Sequence, residues 1–125
     1  MNVVVWVVTG LLAALFLMAG SMKLAKSKGQ ILEDPRMGWA EAYSPAMIKV
    51  IGGAEVLGAL GLVLPGVLEI ATWLVPAAAI GLAVIMVGAV LTHLRRGEMQ
   101  SVVMNVVLLA LAVFVAVERI GPQAF

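Results

Sequence analysis

Residues Val50 to Leu68 read VIGGAEVLGALGLVLPGVL, a glycine-rich apolar stretch whose single charge is Glu55. A helix rises about 1.5 Å per residue, so a stretch of this kind approaches the roughly 30 Å of a bilayer's hydrocarbon core. Pro65-Gly66 is a turn dipeptide at which the helix is expected to stop, which places it at about Met47 to Leu64. Working outward, the same character recurs on both sides. Val3 to Met22 carries no charge. Ile70 to Leu94 contains no Asp, Glu, Lys or Arg, and Pro76 is expected to kink that helix or mark its first turn. Met99 to Val117 is again uncharged and closes at Glu118-Arg119.

Composition demands the same environment. The chain has 125 residues, of which 63% are hydrophobic and 12% charged, and the mean hydropathy is +1.12. Soluble domains draw about a quarter of their residues from Asp, Glu, Lys and Arg, so this surface cannot dissolve in water and the solvent is a bilayer. A net charge of +1 excludes a general nucleic-acid binder, which needs a basic patch to displace counterions. With no cysteine, disulfides, thiol relays, iron–sulfur clusters and covalent haem are excluded as well. The amino terminus lacks the basic start of a secretory signal, and the first apolar run exceeds a signal core, so this helix is expected to be retained.

Short connections make neighbouring helices antiparallel, and a backbone in hydrocarbon must satisfy its own hydrogen bonds. The expected fold is therefore all-α: one domain over residues 1–125, a four-transmembrane-helix antiparallel bundle with spans at about 3–23, 47–64, 69–93 and 100–117. Leu24 to Ala46 is the exception to the short connections. Asp34-Pro35 is a helix start and Ser44-Pro45 a stop, with Trp39 and Tyr43 on one face between them. This predicts a short interfacial helix with aromatic residues at headgroup depth; a lid over a cavity is the alternative.

Lys23, Lys26, Lys28, Arg36, Lys49, Arg95 and Arg96 lie on one side, against Arg119 and the amino terminus on the other. The positive-inside rule predicts cytoplasmic first and third loops, in what is expected to be a bacterial plasma membrane. Helix-end lysines such as Lys23 and Lys49 are expected to snorkel, although either could hold a ligand.

Glu55 is the one formal charge well inside a span, so it must face the bundle, pair with a cation or be protonated. Gly52, Gly58 and Ala59 share its face, which either lets another helix approach closely or leaves a hollow before the carboxyl group. It reads as a proton-exchanging or ligand-binding group, or else as a hydrogen bond between helices. His93, the only histidine, is a candidate proton donor or acceptor, an axial haem ligand or an interfacial polar residue. A lone histidine holds no multi-ligand metal site, and no metal is expected. Asn105 is expected to bond across helices or to face a site, and Arg95 to contact an anion or serve topology. Lys23, Glu55, His93 and Asn105 come one from each span toward the same membrane face, so a bundle could gather them around one cavity.

The residues FLMAGSMKL at 16–24, IGGAEVLGALGLVLP at 51–65, and His93 with Arg95 resemble the DoxX-like family of small four-helix membrane proteins. The resemblance runs over essentially the whole chain, and Glu55 in a glycine-rich span followed by Leu64-Pro65 is its most specific part. It implies the four-helix fold and a kinship with a thiosulfate:quinone oxidoreductase subunit, with components of oxidant-defence complexes and with distant assistants of receptor assembly. Lys23, Glu55 and His93 match the family pattern.

The expected function is binding of a small lipophilic molecule such as a quinone in an intrahelical cavity, as a redox-linked subunit or accessory. Glu55 would be central, with His93, Lys23, Arg95 and Asn105 as further contacts and Trp39 and Tyr43 closing the mouth. A quinone is the leading cofactor, with non-covalent haem through His93 behind it. A homo-oligomer or partner membrane protein is expected in the bilayer, and no nucleic acid. Two alternatives are an isomerase or epoxide-opening enzyme using Glu55 as acid or base, and a structural or chaperone-like module.

Overall fold

The computed structural model describes residues 1–125 and contains no strand. Helices α1 (Asn2–Ala25), α3 (Pro45–Leu68), α4 (Leu74–Arg95) and α5 (Met99–Ile120) are each long and apolar enough to cross a membrane. Between the first two lie α2 (Lys28–Leu32) and a 3-10 helix (Pro35–Ala42). Packing follows chain order around a ring: α1 lies on α3, α3 on α4, α4 on α5, and α5 closes back on α1. Leu12 and Phe16 of α1, Ala59 and Leu62 of α3, Leu82 and Met86 of α4, and Ala112 and Val115 of α5 form the core. Outward-facing Leu57, Trp73 and Val84 are exposed, as expected where lipid replaces water.

One helix end departs from the sequence reading. Helix α3 continues through Pro65 to Leu68, so Pro65-Gly66 is not the stop. A proline inside a helix removes one backbone bond and crowds the carbonyl a turn earlier. Here that earlier residue is Gly61, and Pro65 and Gly66 are themselves buried, with Gly66 against Trp6 and Phe125. The chain leaves the helix at Glu69, at φ 56°, where the Ile70 amide donates to the Pro65 carbonyl. Pro76 falls in the first turn of α4, where its missing N–H is no loss.

The first loop is more ordered than a single interfacial helix. Ser27 and Gln30 form a capping box at the start of α2, and the Asp34 side chain accepts from the Arg36 amide to start the 3-10 helix. Ile31, Ala40 and Ile48 pin both elements to α3 in a small core of their own. At the opposite end, Arg119 is buried: its guanidinium lies against Trp6 and Phe125 and donates to Asn2 Oδ1 at 2.8 Å.

Glycines set how closely α1 meets α3. A methyl group added at Gly20 would sit 2.6 Å from the Gly52 carbonyl oxygen, and one at Gly52 would sit 2.8 Å from Lys23 Cβ. Backbone cannot yield as a side-chain tip does, so Gly20→Ala should destabilise the bundle by about 1–3 kcal/mol. Gly81→Ala, at a position open to its surroundings, should be neutral or slightly stabilising. Unfolding of both variants in mixed micelles checks this; equal stability would mean that the glycine contact does not constrain the helices.

Candidate functional site

The close approach of α1 and α3 decides where the last turn of α1 points. Lys23 does not snorkel: it is 9% exposed and its Nζ donates to Glu55 Oε1 at 2.6 Å. Glu55 is 2% exposed, so the intramembrane carboxyl group has found a cation rather than water. Gly52 therefore serves helix approach, as does Gly58 against Leu82. Lys49 takes the position Lys23 vacates: its Nζ donates to the carbonyls of Lys23, Leu24 and Lys26 at 2.9, 2.7 and 2.6 Å. These are carbonyls at the end of α1 that would otherwise lack partners, and a cation there also suits the helix dipole.

Beyond the pair the four long helices part around a cavity of about 690 Å³. Lys23, Glu55, His93 and Asn105 all line it, so the four groups predicted one per span do share one space. Phe16, Ile51, Met86 and Leu108 are among its apolar walls. The Asn105 amide makes no hydrogen bond across helices and is free to face the cavity. Trp39 of the 3-10 helix and Tyr43 just past its end line it too, with their rings edge to face at 5.9 Å. Lys23 Nζ lies 5.5 Å from the Trp39 ring, and the Tyr43 hydroxyl meets Thr92 Oγ1 at 2.5 Å. The aromatic pair thus joins α1 to α4 across the end of the cavity.

His93 is 8% exposed at the end of α4, and its Nδ1 lies 2.9 Å from Glu98 Oε1. Arg96 Nε donates to the same oxygen at 3.2 Å. The hydrogen bond from His93 holds the Glu98 carboxyl below the usual carboxylate range, and the charge of Arg96 adds to this.

Arg95 is exposed and outside the cavity. Arg36 lines the cavity instead, held by Asp34 at 2.9 Å. Thr92, Gln100 and Ser101 also line the cavity, and Glu98 reaches it only through His93; the sequence reading assigns none of the four to the site. A helical period from Asn105 reaches Ser101 and one from Gly88 or Ala89 reaches Thr92, but Glu98 is met only across the turn at Gly97, at φ +70°. Gly88 lines the cavity, whereas Gly81 meets nothing. No group of three or more His, Asp or Glu residues gathers in metal-binding geometry.

Among known proteins, a family model described as the DoxX-like family matches residues 7–115. Comparisons with curated proteins and with solved structures returned no match.

Removing one member of a buried ion pair leaves the other uncompensated, at a cost of about 3–5 kcal/mol, while an apolar replacement of both is often neutral. Lys23→Met and Glu55→Met should each destabilise by that order, and the double variant should recover most of the loss. Additive losses in this double-mutant cycle would deny the coupling. Glu98 gives a pH signature. Its folded pKa is depressed, so its stabilising contribution is complete above the ordinary carboxylate value and is lost as pH falls through the lower folded value. Wild-type protein should therefore lose more thermal stability than Glu98→Gln on acidification below about pH 4.5.

Proposed function

The chain belongs to the DoxX-like family, and for this member we propose binding of a small lipophilic molecule with a polar head, of the quinone class, in the cavity between the four helices. The observation that carries this is the buried Lys23–Glu55 pair on the wall of a space otherwise lined largely by apolar side chains. Ligand pockets of about 300–1,000 Å³ combine apolar walls with a few convergent polar groups, and this cavity has that make-up. Lys23 and Glu55 neutralise each other, so a ligand can enter uncharged. The Lys23 ammonium has three donors and gives one to Glu55, leaving others for a carbonyl or hydroxyl oxygen. Asn105 and His93 offer further polar contacts, and Trp39 and Tyr43 close over the head.

The basic residues around the first and third loops support a cytoplasmic setting for this end of the bundle under the positive-inside rule. Placed there, the protein would serve as a redox-linked subunit or accessory that holds its ligand near one membrane face.

A benzoquinone with a short alkyl tail is a direct probe, because Trp39 lines the cavity and Trp6 and Trp73 do not. Titration into the detergent-solubilised protein should give saturable quenching that disappears in Trp39→Phe. Glu55→Gln, which weakens the hold on Lys23, should bind roughly tenfold less tightly, the order of a lost charge-assisted hydrogen bond. Quenching that does not saturate, or that persists in Trp39→Phe, would mean simple partition into the micelle and would overturn the reading.

A further inference from the structure

Glu98 lies at the start of α5, beyond the end of α4, and its side chain is 27% exposed. It is the one acidic partner of the only histidine, and it opens to water while His93 lines the cavity. A carboxylate can only accept a hydrogen bond, so Nδ1 of neutral His93 must carry the proton. Nε2 is then a lone-pair acceptor, and it has no partner within the protein.

The other charged groups of the cavity are already engaged. Lys23 from α1 and Glu55 from α3 hold each other at 2.6 Å, and Arg36 of the 3-10 helix is held by Asp34. Arg96, on the turn, is bonded to Glu98. A hydroxyl group brought into this space therefore meets one unengaged basic nitrogen, His93 Nε2, and one cation with donors to spare, Lys23.

We propose that His93 and Glu98 form a proton relay from the cavity to the water at the α4–α5 turn, serving a ligand with an acidic hydroxyl, a phenol or enol on an apolar body. This rests on the cavity being a ligand site. In the step, the ligand O–H bond breaks and its electron pair stays on oxygen, where the Lys23 ammonium faces the new charge. The proton joins Nε2, the Nδ1 proton passes to Glu98 Oε1, and Glu98 releases it to water. The oxidation states do not change, and His93 ends neutral with its proton on Nε2, donated to the ligand oxygen; return of a proton along the same path restores the Nδ1–H form. His93 touches the ligand; Glu98 acts through it as a positioning and relay residue.

A nitrophenol bearing a hexyl chain tests this, because its phenolate absorbs visible light, with its methyl ether as the matched probe that has no proton to give. Wild-type protein should bind the phenol roughly tenfold more tightly than the ether, and the bound phenol should ionise about one pH unit lower than in protein-free micelles. After a pH jump Glu98→Gln should bind the phenol as well as wild type but exchange the bound proton roughly tenfold more slowly, with Glu98→Asp restoring part of the rate. A purely electrostatic role for Glu98 predicts only a shift of the ionisation midpoint toward the phenolate when its negative charge is removed, with no loss of rate. Melting curves of each variant verify the fold. Equal binding of phenol and ether, or an unchanged proton-exchange rate in Glu98→Gln, would overturn the relay and leave the cavity as a ligand site. If wild-type protein binds neither probe, both inferences fall.

Discussion

A carboxyl group inside a membrane must be protonated or matched by a cation, and in this chain the Lys23–Glu55 pair meets that demand. The pair forms only if the end of α1 lies close against the first half of α3. Gly20 and Gly52 make that approach possible, because a side chain at either would strike backbone or Lys23. Once Lys23 turns inward, the exposed end of α1 loses its own cation, and Lys49 from α3 satisfies the carbonyls there. One buried pair thus explains two glycines and a second lysine.

The same constraint shapes the first loop. Its helices stand on a small core at Ile31, Ala40 and Ile48, and Lys28 donates to the carbonyls of Glu41 and Tyr43 to hold the exit of the 3-10 helix. Anchored in this way, Trp39 and Tyr43 reach over the end of the bundle to Lys23 and Thr92. The loop therefore combines two roles that the sequence offered as alternatives: an interfacial helix by position, and a cover by the direction of its aromatic rings.

Each helix contributes to the cavity with a face that recurs at helical spacing, as Leu15, Ala19 and Met22 do on α1 and Ser101, Asn105 and Leu108 do on α5. That periodicity is legible in the sequence, as is the one polar group that each span carries toward the same membrane face. Arg95 and Arg36 were not separable in this way. Both are arginines near the same membrane face, and only the path of the first loop brings Arg36 to the cavity while the end of α4 turns Arg95 away.

By itself the sequence determined the environment and the architecture. A low share of charge admits only a bilayer, and four apolar runs with short connections admit only an antiparallel bundle. It also determined that Glu55 needed a partner. What only the tertiary structure decided was the identity of that partner, the hollow beside it, and the meeting of His93 with Glu98 across a turn. Hydropathy and helical period act along one helix, whereas partner choice depends on the separation and rotation of two helices, which arise only from packing.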